Sequence, residues 1–511
     1  MPVLAAIDIG SNSVRLKIAS LTRRRLKTVH EDREVTRLGE SVFKTGMLAP
    51  DAMARTVKVL RRFHKAIQAH GATAVRAVAT SALREARNAP SFLEWVLSAT
   101  GWKLETISGL EEARLIHLGI LGNLRGTRSP MLLMDLGGGS CELTVSVQRH
   151  IRVTVSLPLG AVRLTEEFLR HDPPKKNELA SLQRIIAQRI GRVAPRIARA
   201  GVKMMIATSG TAAALDAMFK ARLGGSKREK VSAQVPRKAV VKLAEMLAKR
   251  NHQQRASVPG LGTKRAEIIV AGATVYAEVM ERCDLPSFLC SPLGLRDGLL
   301  AQMAAEQHLS ARSTRQIAAD RWDSLLTAGK RYHVDMLHAR QVRELAMRLF
   351  DELQDVHQLP EDYREWLSAA AMLHEVGSYV NRTGWHRHAY YIIAHSEILG
   401  YTPQQRRIIA AIARYLGALL PTPGQPYLKA LSPPDRKLVP KAVALLRLAR
   451  ALNQGRRGAV TGVTARVKDG RVTLELKAVK RIGADLELWM LDKERGHFRD
   501  LFGRELFAEL T

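Results

Sequence analysis

The chain has 511 residues, of which 46% are hydrophobic and 25% charged, a balance that excludes a disordered or fibrous protein. Its length predicts about three or four domains. With 80 Lys and Arg against 48 Asp and Glu, the formal charge of +32 predicts an anionic partner. Charge alone does not choose between nucleic acid, an anionic membrane face and a polyphosphate.

The cysteines and the N-terminus bear on the compartment. Cys141, Cys283 and Cys290 have a spacing that fits neither a disulfide framework nor a zinc site, which indicates a reducing environment. The N-terminus lacks the basic segment of a signal peptide, and no apolar run approaches the roughly 20 residues that span a bilayer. We therefore expect a cytoplasmic protein without integral membrane association.

The first 300 residues alternate strand-like and helix-like patterns. Strands are predicted over residues 3–10 and 14–20, a helix over 52–71, and a strand that continues into a helix over 74–86. The pattern begins again at about Met131 with a strand, a glycine loop and a second strand, followed by a further strand from Ile151 to Leu157. This repetition predicts an internal duplication.

The last 200 residues have a different pattern. Residues from about 301 to 420 are predicted to be helical, and another helix is predicted over 441–452. Asp469-Gly470, between two alternating runs, predicts a two-residue hairpin turn. From about Asp485 the chain is predicted to return to helix, which gives a helical domain followed by a small α+β domain.

The sequence Asp-x-Gly-x-x-Ser occurs twice, at Asp8–Ser13 and at Asp135–Ser140. A glycine turn between two strands exposes several backbone N–H groups, which bind anions, and the serine adds a hydroxyl donor. Asp135, at a strand end, is better suited to a divalent cation than to phosphate. One such loop is as readily a plain connection, but two can face each other across a cleft and hold a phosphate chain. The chain lacks the Walker sequence.

Six segments, in order, resemble the exopolyphosphatase and guanosine pentaphosphate phosphatase family, which belongs to the actin, sugar kinase and Hsp70 ATPase superfamily. They read AAIDIGSNSVRLKIA, VATSALREARN, ISGLEEARLIHLGI, LLMDLGGGSCELTVS, SLPLGAVRLTE and IATSGTAAALDAM. The resemblance is strong over roughly residues 4 to 300 and looser over the helical region.

The resemblance implies an α/β fold with two ribonuclease H-like domains of the actin-like ATPase type on either side of a cleft. We expect these two domains at residues 1–127 and 128–303. A helical domain similar to His-Asp phosphohydrolases is expected at 304–428, and a small α+β C-terminal domain at 429–511. Long members of the family are dimers, so we expect a homodimer.

By the same resemblance, Glu112 is the carboxylate that orients the attacking water and accepts its proton. Its neighbour Glu111 points about 100° away on a helix, so only one of them can face the cleft. Asp135 and Glu142, together with Asp8, are expected to hold Mg²⁺ or Mn²⁺. Read without the family, a Glu-Glu helix start is more often solvated, and Asp8 is equally suited to bonding its own turn.

The expected phosphate-binding residues lie in the two loops and beside the cleft. Arg84 is suited to bidentate phosphate contact or, alternatively, to a surface salt bridge. Ser209, Gly210 and Thr211 match the place where nucleotide-binding relatives touch a nucleoside, or form only a turn. Arg15 either adds affinity for an anionic substrate or faces solvent. The loop residues are Gly10, Ser11, Asn12, Ser13, Gly137, Gly138, Gly139 and Ser140.

The helical domain has His374-Glu375 where His-Asp phosphohydrolases have their signature pair, with His386, His388 and His395 nearby. The resemblance implies a structural or substrate-guiding role without metal. Basic residues of this half could together line a channel for an anionic chain, which would then be trimmed repeatedly before release, although each one taken singly is more often part of an ordinary solvated face. They are Arg382, Arg387, Arg406, Arg407, Arg436, Lys437, Arg447, Arg450, Arg456, Arg457, Lys480 and Arg481.

The leading hypothesis is a hydrolase of phosphoanhydride bonds, an exopolyphosphatase that removes terminal orthophosphate from inorganic polyphosphate. The alternative within the same chemistry is hydrolysis of pppGpp to ppGpp. A hypothesis of another class is a non-catalytic regulator that binds polyphosphate or nucleic acid. The joint presence of Glu112, Asp135 and Glu142 favours an enzyme, for which no nucleic-acid partner is expected.

Overall fold

In the computed structural model, the described residues are 2–22, 25–123, 129–222, 234–307, 310–422, 424–479 and 481–511. The chain separates into two compact units, Met1–Ala319 and Asp320–Thr511. Each unit has hydrophobic core clusters of its own. The four-domain division stays a prediction, and its boundary at 127/128 lies outside the described residues.

The first sheet of the first unit has five strands in the order β3-β2-β1-β4-β5. Neighbouring strands β3, β2 and β1 are antiparallel, whereas β1–β4 and β4–β5 are parallel. The strands are β1 Val3–Ile9, β2 Ser13–Thr22, β3 Arg25–Val35, β4 Ala74–Ala79 and β5 Glu105–Thr106. The predicted strands and their tight loop are confirmed, whereas β3 was not predicted.

The second sheet has six strands in the order β10-β11-β9-β6-β7-β8. Strands β6, β7 and β8 form an antiparallel meander, and β6 pairs in parallel with β9. The strands are β6 Met131–Leu136, β7 Cys141–Val147, β8 His150–Leu157, β9 Met204–Thr208, β10 Val235–Pro236 and β11 Ser287–Cys290. Strands β6, β7, β8 and β9 are arranged in the second sheet as β1, β2, β3 and β4 are in the first. This repetition confirms the predicted duplication.

Helices cover the two sheets. Those of the first half are α1 Val42–Thr45, α2 Pro50–Ala69, α3 Ser81–Glu85, α4 Ala89–Thr100 and α5 Gly109–Asn123. Those of the second half are α6 Ala161–Phe168, α7 Lys176–Gly191, α8 Ala194–Arg199, α9 Ser209–Arg222, α10 Arg237–Ala248, α11 His252–Ala256, α12 Ile269–Arg282 and α13 Leu295–Glu306. A short 3₁₀ helix covers Thr263–Arg265.

Strand β1 shows how the two sheets share a core. Side chains alternate across a strand, so Ala5 and Ile7 enter one cluster while Leu4 and Ala6 enter another. The second of these clusters also contains buried residues of β6, α5 and α13. At the crossing of α5 and α13, a side chain at Gly298 would overlap the Leu115 carbonyl. This close packing fixes α5, which carries Glu112, against the second sheet.

The second unit begins within α14 (Ala311–Arg331) and is mainly helical, as predicted. Its other helices are α15 Met336–Glu352, α16 Gln354–His357, α17 Asp362–Leu373, α18 Trp385–His395, α19 Pro403–Arg414, α20 Pro426–Lys429, α21 Pro433–Ala451 and α22 Asp485–Phe502, with a 3₁₀ helix at Val376–Tyr379. The three cysteines of the chain, all in the first unit, are free thiols.

A three-stranded sheet, in the order β12-β13-β14, completes the second unit. Strands β12 (Val460–Lys468) and β13 (Arg471–Ala478) form the predicted hairpin, with positive φ at both Asp469 and Gly470. Strand β14 (Glu505–Leu510) pairs in parallel with β13. Gly503, in the left-handed conformation, ends α22. The prediction of helix up to the C-terminus is therefore wrong for the residues of β14.

Candidate active site

The two glycine loops have the same backbone hydrogen bonding. The Gly10 N–H donates to the Ser13 carbonyl across 3.1 Å, and the Gly137 N–H donates to the Ser140 carbonyl across 2.9 Å. Each pair closes the turn between two antiparallel strands. The duplicated sequence therefore corresponds to a duplicated loop conformation.

Carbonyl groups of both loops accept hydrogen bonds from neighbouring segments of the chain. Arg37 N–H donates to the Asn12 carbonyl and Gly39 N–H to the Ser11 carbonyl, while Ala161 and Val162 donate to Gly137 and Gly138. With the carbonyls bonded elsewhere, backbone N–H groups and serine hydroxyls remain for an anion. The Ser11 hydroxyl is buried and has no hydrogen-bond partner among the described residues.

The loops face each other at close range. A Cβ on Gly138 would lie 3.0 Å from the Ser11 Cβ and 3.2 Å from the Asn12 nitrogen, and one on Gly139 would overlap the Ser81 hydroxyl. A side chain at Gly139 would overlap Ser81 and Phe43, and one at Gly138 would require the first loop to shift by a few tenths of an ångström. Residues of both loops line one cleft, which also contains Asp8, Glu112 and Asp135.

Three carboxylates meet beside the second loop. Glu112, Asp135 and Glu142 each place an oxygen within 4.8 Å of the other two. Asp135 and Glu142 are direct cross-strand partners on β6 and β7, whereas Glu112 comes from the first turn of α5. Like charges directly opposite on neighbouring strands are destabilising. A cluster that keeps them is suited to a cation.

Burial and mutual repulsion dominate the electrostatics of this cluster. Burial, then the nearby Glu142, raises the pKa of Asp135 to about 7. Burial and then Glu142 also raise the pKa of Glu112 well above its ordinary value, while Arg84 opposes this. Burial raises the pKa of Glu142, against hydrogen bonds from Ser156 and Ser140. Arg84, paired with Glu112 at 3.0 Å, does not offset this repulsion fully, because the pKa of all three carboxyl groups stays raised.

The donor set fits a hard divalent cation. The Ser156 hydroxyl donates to Glu142 Oε1 across 2.7 Å, but Glu142 Oε2 is buried with no hydrogen-bond partner among the described residues. Three carboxylate oxygens are the type of ligand that Mg²⁺ or Mn²⁺ takes in proteins. Asp135 and Glu142 are therefore the residues that would hold it, with an oxygen of Glu112 within 4.8 Å of both.

Asp8 lies in the same cleft but outside this carboxylate cluster. Its cross-strand partner is Arg15, at the position where Asp135 has Glu142. Burial raises the pKa of Asp8, and Arg15 and Arg296 lower it. Because Arg15 supplies a positive charge in the first half, the two halves differ, and the carboxylates suited to a cation lie beside the second loop.

Arg84 connects the carboxylates with the second loop. Its guanidinium donates to Glu112 Oε2 across 3.0 Å, to the Ile107 carbonyl across 2.9 Å and to the Ser140 hydroxyl across 3.4 Å. The neighbouring Glu111 points elsewhere and pairs with the buried Arg114. Of the two adjacent glutamates, only Glu112 lines the cleft.

Three arginines line the cleft, and the charge of a fourth, Arg33, acts on one of them, Arg265. Burial and then Arg33 and Arg15 lower the pKa of Arg265 to about 9, and burial and then Arg15 and Arg296 lower that of Arg33 to about 10. Arg15, Arg265 and Arg296 line the cleft. Arg33, Arg265 and Arg296 lie far apart in the sequence and follow no regular spacing, so the sequence did not predict that they would come together. Arg15 alone lies in one of the segments that carry the family resemblance.

Ser209, Gly210 and Thr211, which form the first turn of helix α9, line the same cleft. Ser209 has φ of 87°, an unusual value for serine. A side chain at Gly210 would overlap the Arg265 guanidinium, so this arginine lies directly against the turn. The surface that the resemblance associates with a nucleoside is thus covered by a cation.

The second unit contains another cluster, formed by His338, His374 and Glu375. The Asn453 side-chain amide donates to His338 Nδ1 across 3.0 Å, so neutral His338 carries its proton on Nε2 rather than offering a lone pair there. Arg456 pairs with Glu375 and, at 3.3 Å, with Asp335. A guanidinium thus supplies the positive charge next to Glu375, and His386, His388 and His395 lie outside the cluster.

Several basic residues predicted to line a channel have partners in the second unit. Arg447 pairs with Glu494 at 2.7 Å, and Arg436 donates to the Leu431 and Lys429 carbonyls. Lys480 lies outside the described residues.

Within the described ranges, no helix combines the length and the apolar content that crossing a bilayer requires.

Comparison with known proteins identifies relatives of both units. Residues 17–307 match the family described as "Ppx/GppA phosphatase family", and residues 321–495 match the one described as "Ppx/GppA phosphatase, domain III". Exopolyphosphatase 2 of Mycobacterium tuberculosis is 31% identical over 314 residues, which cover 59% of this chain and 98% of that protein.

Two solved structures support the same assignment for the first unit. The Aquifex aeolicus Ppx/GppA family member is 29% identical, with a TM-score of 0.51, over 60% of this chain and 98% of its own. An exopolyphosphatase from Cytophaga hutchinsonii has a TM-score of 0.56 at 23% identity, over 60% of this chain and all of its own, and supports the fold. With its two actin-like ATPase domains at the N-terminus, this chain belongs to the Ppx/GppA phosphatase family.

Proposed function

We propose that the chain is a metal-dependent exopolyphosphatase, which removes terminal orthophosphate from inorganic polyphosphate. The observation that carries the proposal is the meeting of three carboxylates, of which Glu112 and Asp135 line the cleft, with the two facing glycine loops. A relative that is 31% identical is named an exopolyphosphatase.

Phosphoanhydride hydrolysis requires neutralisation of the phosphoryl oxygens and a water in line with the leaving oxygen. Backbone N–H groups and the Ser11 and Ser140 hydroxyls of the loops would bind the oxygens of the terminal phosphates. Arg84, within reach of both Ser140 and Glu112, is placed to bind the terminal phosphoryl group. The phosphate chain is thereby oriented toward Glu112.

Glu112 is proposed to hold the attacking water and to accept its proton. Its carboxylate is buried, and its raised pKa makes it a stronger base than an exposed glutamate. Asp135 and Glu142 would hold the divalent cation beside the phosphoryl group, with Glu112 next to them as the base. When bound, the cation supplies charge neutralisation on the transferred phosphoryl oxygens.

The arginine cluster favours a long anion over a single phosphate. Burial, and after it the charge of neighbouring arginines that include Arg15, lowers the pKa of Arg33, Arg265 and Arg296, so each extra negative charge in the cleft relieves repulsion among these cations. The overall charge of +32 strengthens attraction to a polyanion. We include repeated trimming of one bound chain in this proposal, and a homodimer as the active form.

The competing activity is hydrolysis of pppGpp to ppGpp. The Ser209–Thr211 turn in the cleft favours it, whereas the position of Arg265 on Gly210 opposes a nucleoside there. Orthophosphate release should be measured from long-chain polyphosphate and from pppGpp at the same ionic strength. We expect the larger kcat/KM with polyphosphate, and a strong preference for pppGpp would replace the proposal by its competitor.

A further inference from the structure

Arg163, in the first turn of α6, contacts the second glycine loop. Its Nε donates to the Gly139 carbonyl across 2.8 Å, and its main-chain N–H donates to the Gly138 carbonyl across 3.1 Å. The side chain is only 12% exposed and does not belong to the lining of the cleft. One residue therefore binds two successive carbonyls of the loop, which leaves the N–H groups of the loop for an anion.

The same guanidinium also contacts the first half of the unit. Its Nη2 donates to Glu85, the last residue of α3, and its Cζ lies 4.0 Å from the centre of the Phe43 ring in α1. The Ser81 hydroxyl, at the start of α3, donates to the same Glu85 oxygen across 3.1 Å. Arg163 thus joins a loop of the second half to two helices of the first half, through a charged hydrogen bond and a cation–π contact.

Helix α3 also carries Arg84, the residue before Glu85. Successive residues on a helix point about 100° apart. Arg84 accordingly reaches the Glu112 carboxylate and the Ser140 hydroxyl, whereas Glu85 reaches Arg163. Both contacts lead to the same loop, one to its serine and the other, through Arg163, to the glycine before it. The position of α3 relative to the loop therefore decides where the Arg84 guanidinium lies.

The contribution of this link is geometric rather than energetic. The Glu85 side chain is 43% exposed, so its ion pair with Arg163 contributes little to the free energy of unfolding. A guanidinium, however, is planar, and its Nε and Nη2 donors have fixed directions. Because one rigid group bonds both the Gly139 carbonyl and the Glu85 carboxylate, these two acceptors keep a fixed separation.

We propose that Arg163 is a positioning residue of the active site, whose planar guanidinium holds α3 against the second loop and thereby keeps Arg84 on Glu112. It touches neither the phosphate chain nor the cation, and it acts through Arg84. The inference rests on the proposed hydrolysis and adds to it a residue outside the cleft. A lysine at this position would keep the charge but, with a single ammonium group, would not fix two acceptors at once.

The test is kcat for orthophosphate release by Arg163→Gln in two backgrounds, the parent chain and Arg84→Gln. In the parent, kcat is expected to fall at least about tenfold with the thermal midpoint nearly unchanged, since a misplacement of about 1 Å can cost about 10²-fold. In the Arg84→Gln background the same substitution should cost less than about threefold, because the residue through which Arg163 acts is already removed. An equal loss in both backgrounds indicates a merely structural role and overturns the proposal.

Arg87→Gln is the matched control. Arg87 is exposed, lies two residues after the end of α3, and donates to the Thr45 carbonyl at the end of α1 across 2.8 Å. The substitution removes the same charge beside the same helices while the loop contacts of Arg163 remain, so kcat should stay within about twofold, as expected of a surface substitution. An equal loss of kcat in Arg87→Gln, or full kcat in Arg163→Lys, overturns the proposal.

Hydrogen–deuterium exchange tests the link without any substrate. Loss of Arg163 should speed amide exchange in peptides that cover residues 81–86 and 137–142, whereas Arg87→Gln should leave exchange at 137–142 as in the parent. Unchanged exchange at both segments in Arg163→Gln overturns the proposal, even if the chain hydrolyses polyphosphate. If the parent hydrolyses another phosphoanhydride instead, the proposed function fails, while exchange and kcat on that substrate still decide the role of Arg163.

A second variant covers the case in which Arg163→Gln does not fold. Glu85→Ala breaks the same link from the other side, at an exposed position of α3. Its kcat is expected to fall, but by less than in Arg163→Gln, because Arg163 still binds the Gly139 carbonyl. An unchanged kcat in Glu85→Ala also overturns the proposal.

Discussion

Arg84 donates a 3.0 Å hydrogen bond to Glu112, and it is the cation that offsets the repulsion of Glu142 and Asp135 on that carboxylate. Since Arg84 lowers the pKa of Glu112, its removal must raise that pKa further. A general base acts only when deprotonated. In Arg84→Gln, the acid limb of kcat is therefore expected to move to higher pH.

The measurement is the pH profile of orthophosphate release by Arg84→Gln and by the parent chain. If Arg84 also binds phosphate, the substitution would raise KM as well, but a higher KM by itself leaves the acid limb of kcat in place. A profile that moves to lower pH, or does not move, contradicts the role of Glu112 as base.

Adjacent glutamates provide a matched pair for the catalytic role. Glu112→Gln is expected to reduce kcat by at least 100-fold, because a general base contributes roughly 10²- to 10⁴-fold, with polyphosphate binding nearly unchanged. Glu111→Gln should retain kcat within a few-fold but unfold more easily, because it weakens the pair with the buried Arg114. Equal losses of kcat in both variants would contradict the role of Glu112 as the general base. Unchanged turnover in Glu112→Gln would remove Glu112 from the mechanism.

Glycines provide a second matched pair, for the loops. Gly139→Ala places a methyl group on the Ser81 hydroxyl and the Phe43 ring, so the loop must shift, and we expect at least a tenfold loss of kcat/KM. Gly122→Ala, in α5, meets nothing within 4 Å and should stabilise the chain by up to about 1 kcal/mol with activity retained. Full activity in Gly139→Ala would show that the loop geometry is not needed.

The sequence allowed prediction of those parts of the fold and site that depend on local chemistry. Alternation predicted β1 and β2, and the repeated loops predicted the cleft, because strand–glycine–strand patterns are visible within about 15 residues. Strand β3 was missed because it reads RLKTVHEDREV: a charged edge strand is held by pairing with β2 rather than by a buried face. Strand β14 was missed for a similar reason, since of its six residues only Leu506 is buried.

The site was predictable to the same extent. Asp135 and Glu142 flank one turn, so their pairing across β6 and β7 follows from the hairpin. Arg265 and Arg296, by contrast, reach the cleft through the packing of distant segments, and no spacing in the sequence marks them. The opposite charges of the Asp8 and Arg15 pair, which set the first loop apart from the second, became visible only with the strand register.

The arginine cluster can be tested with neighbouring cations. Arg265→Ser is expected to raise KM for long polyphosphate at least tenfold and to reduce the dependence of KM on salt, because the variant has one cation fewer facing the anion. Lys264→Ser removes the same charge one residue earlier, at an exposed position paired with Glu34, and should change KM less than twofold. Equal effects of the two substitutions would mean that only the overall charge matters.

The carboxylate cluster predicts a pH-dependent response to divalent cations. The pKa of Asp135 is raised to about 7 from an ordinary value of 3.8, so its contribution to stability is present at low pH and is lost as the pH rises toward 7. Mg²⁺ replaces protons at these carboxylates and should therefore raise the thermal midpoint more at pH 8 than at pH 5. At a concentration of 100 times its Kd, the ion adds about 2.7 kcal/mol. Glu142→Gln removes one ligand and should lose most of this gain in differential scanning fluorimetry, whereas an equal gain at both pH values, or in Glu142→Gln, would place the cation elsewhere.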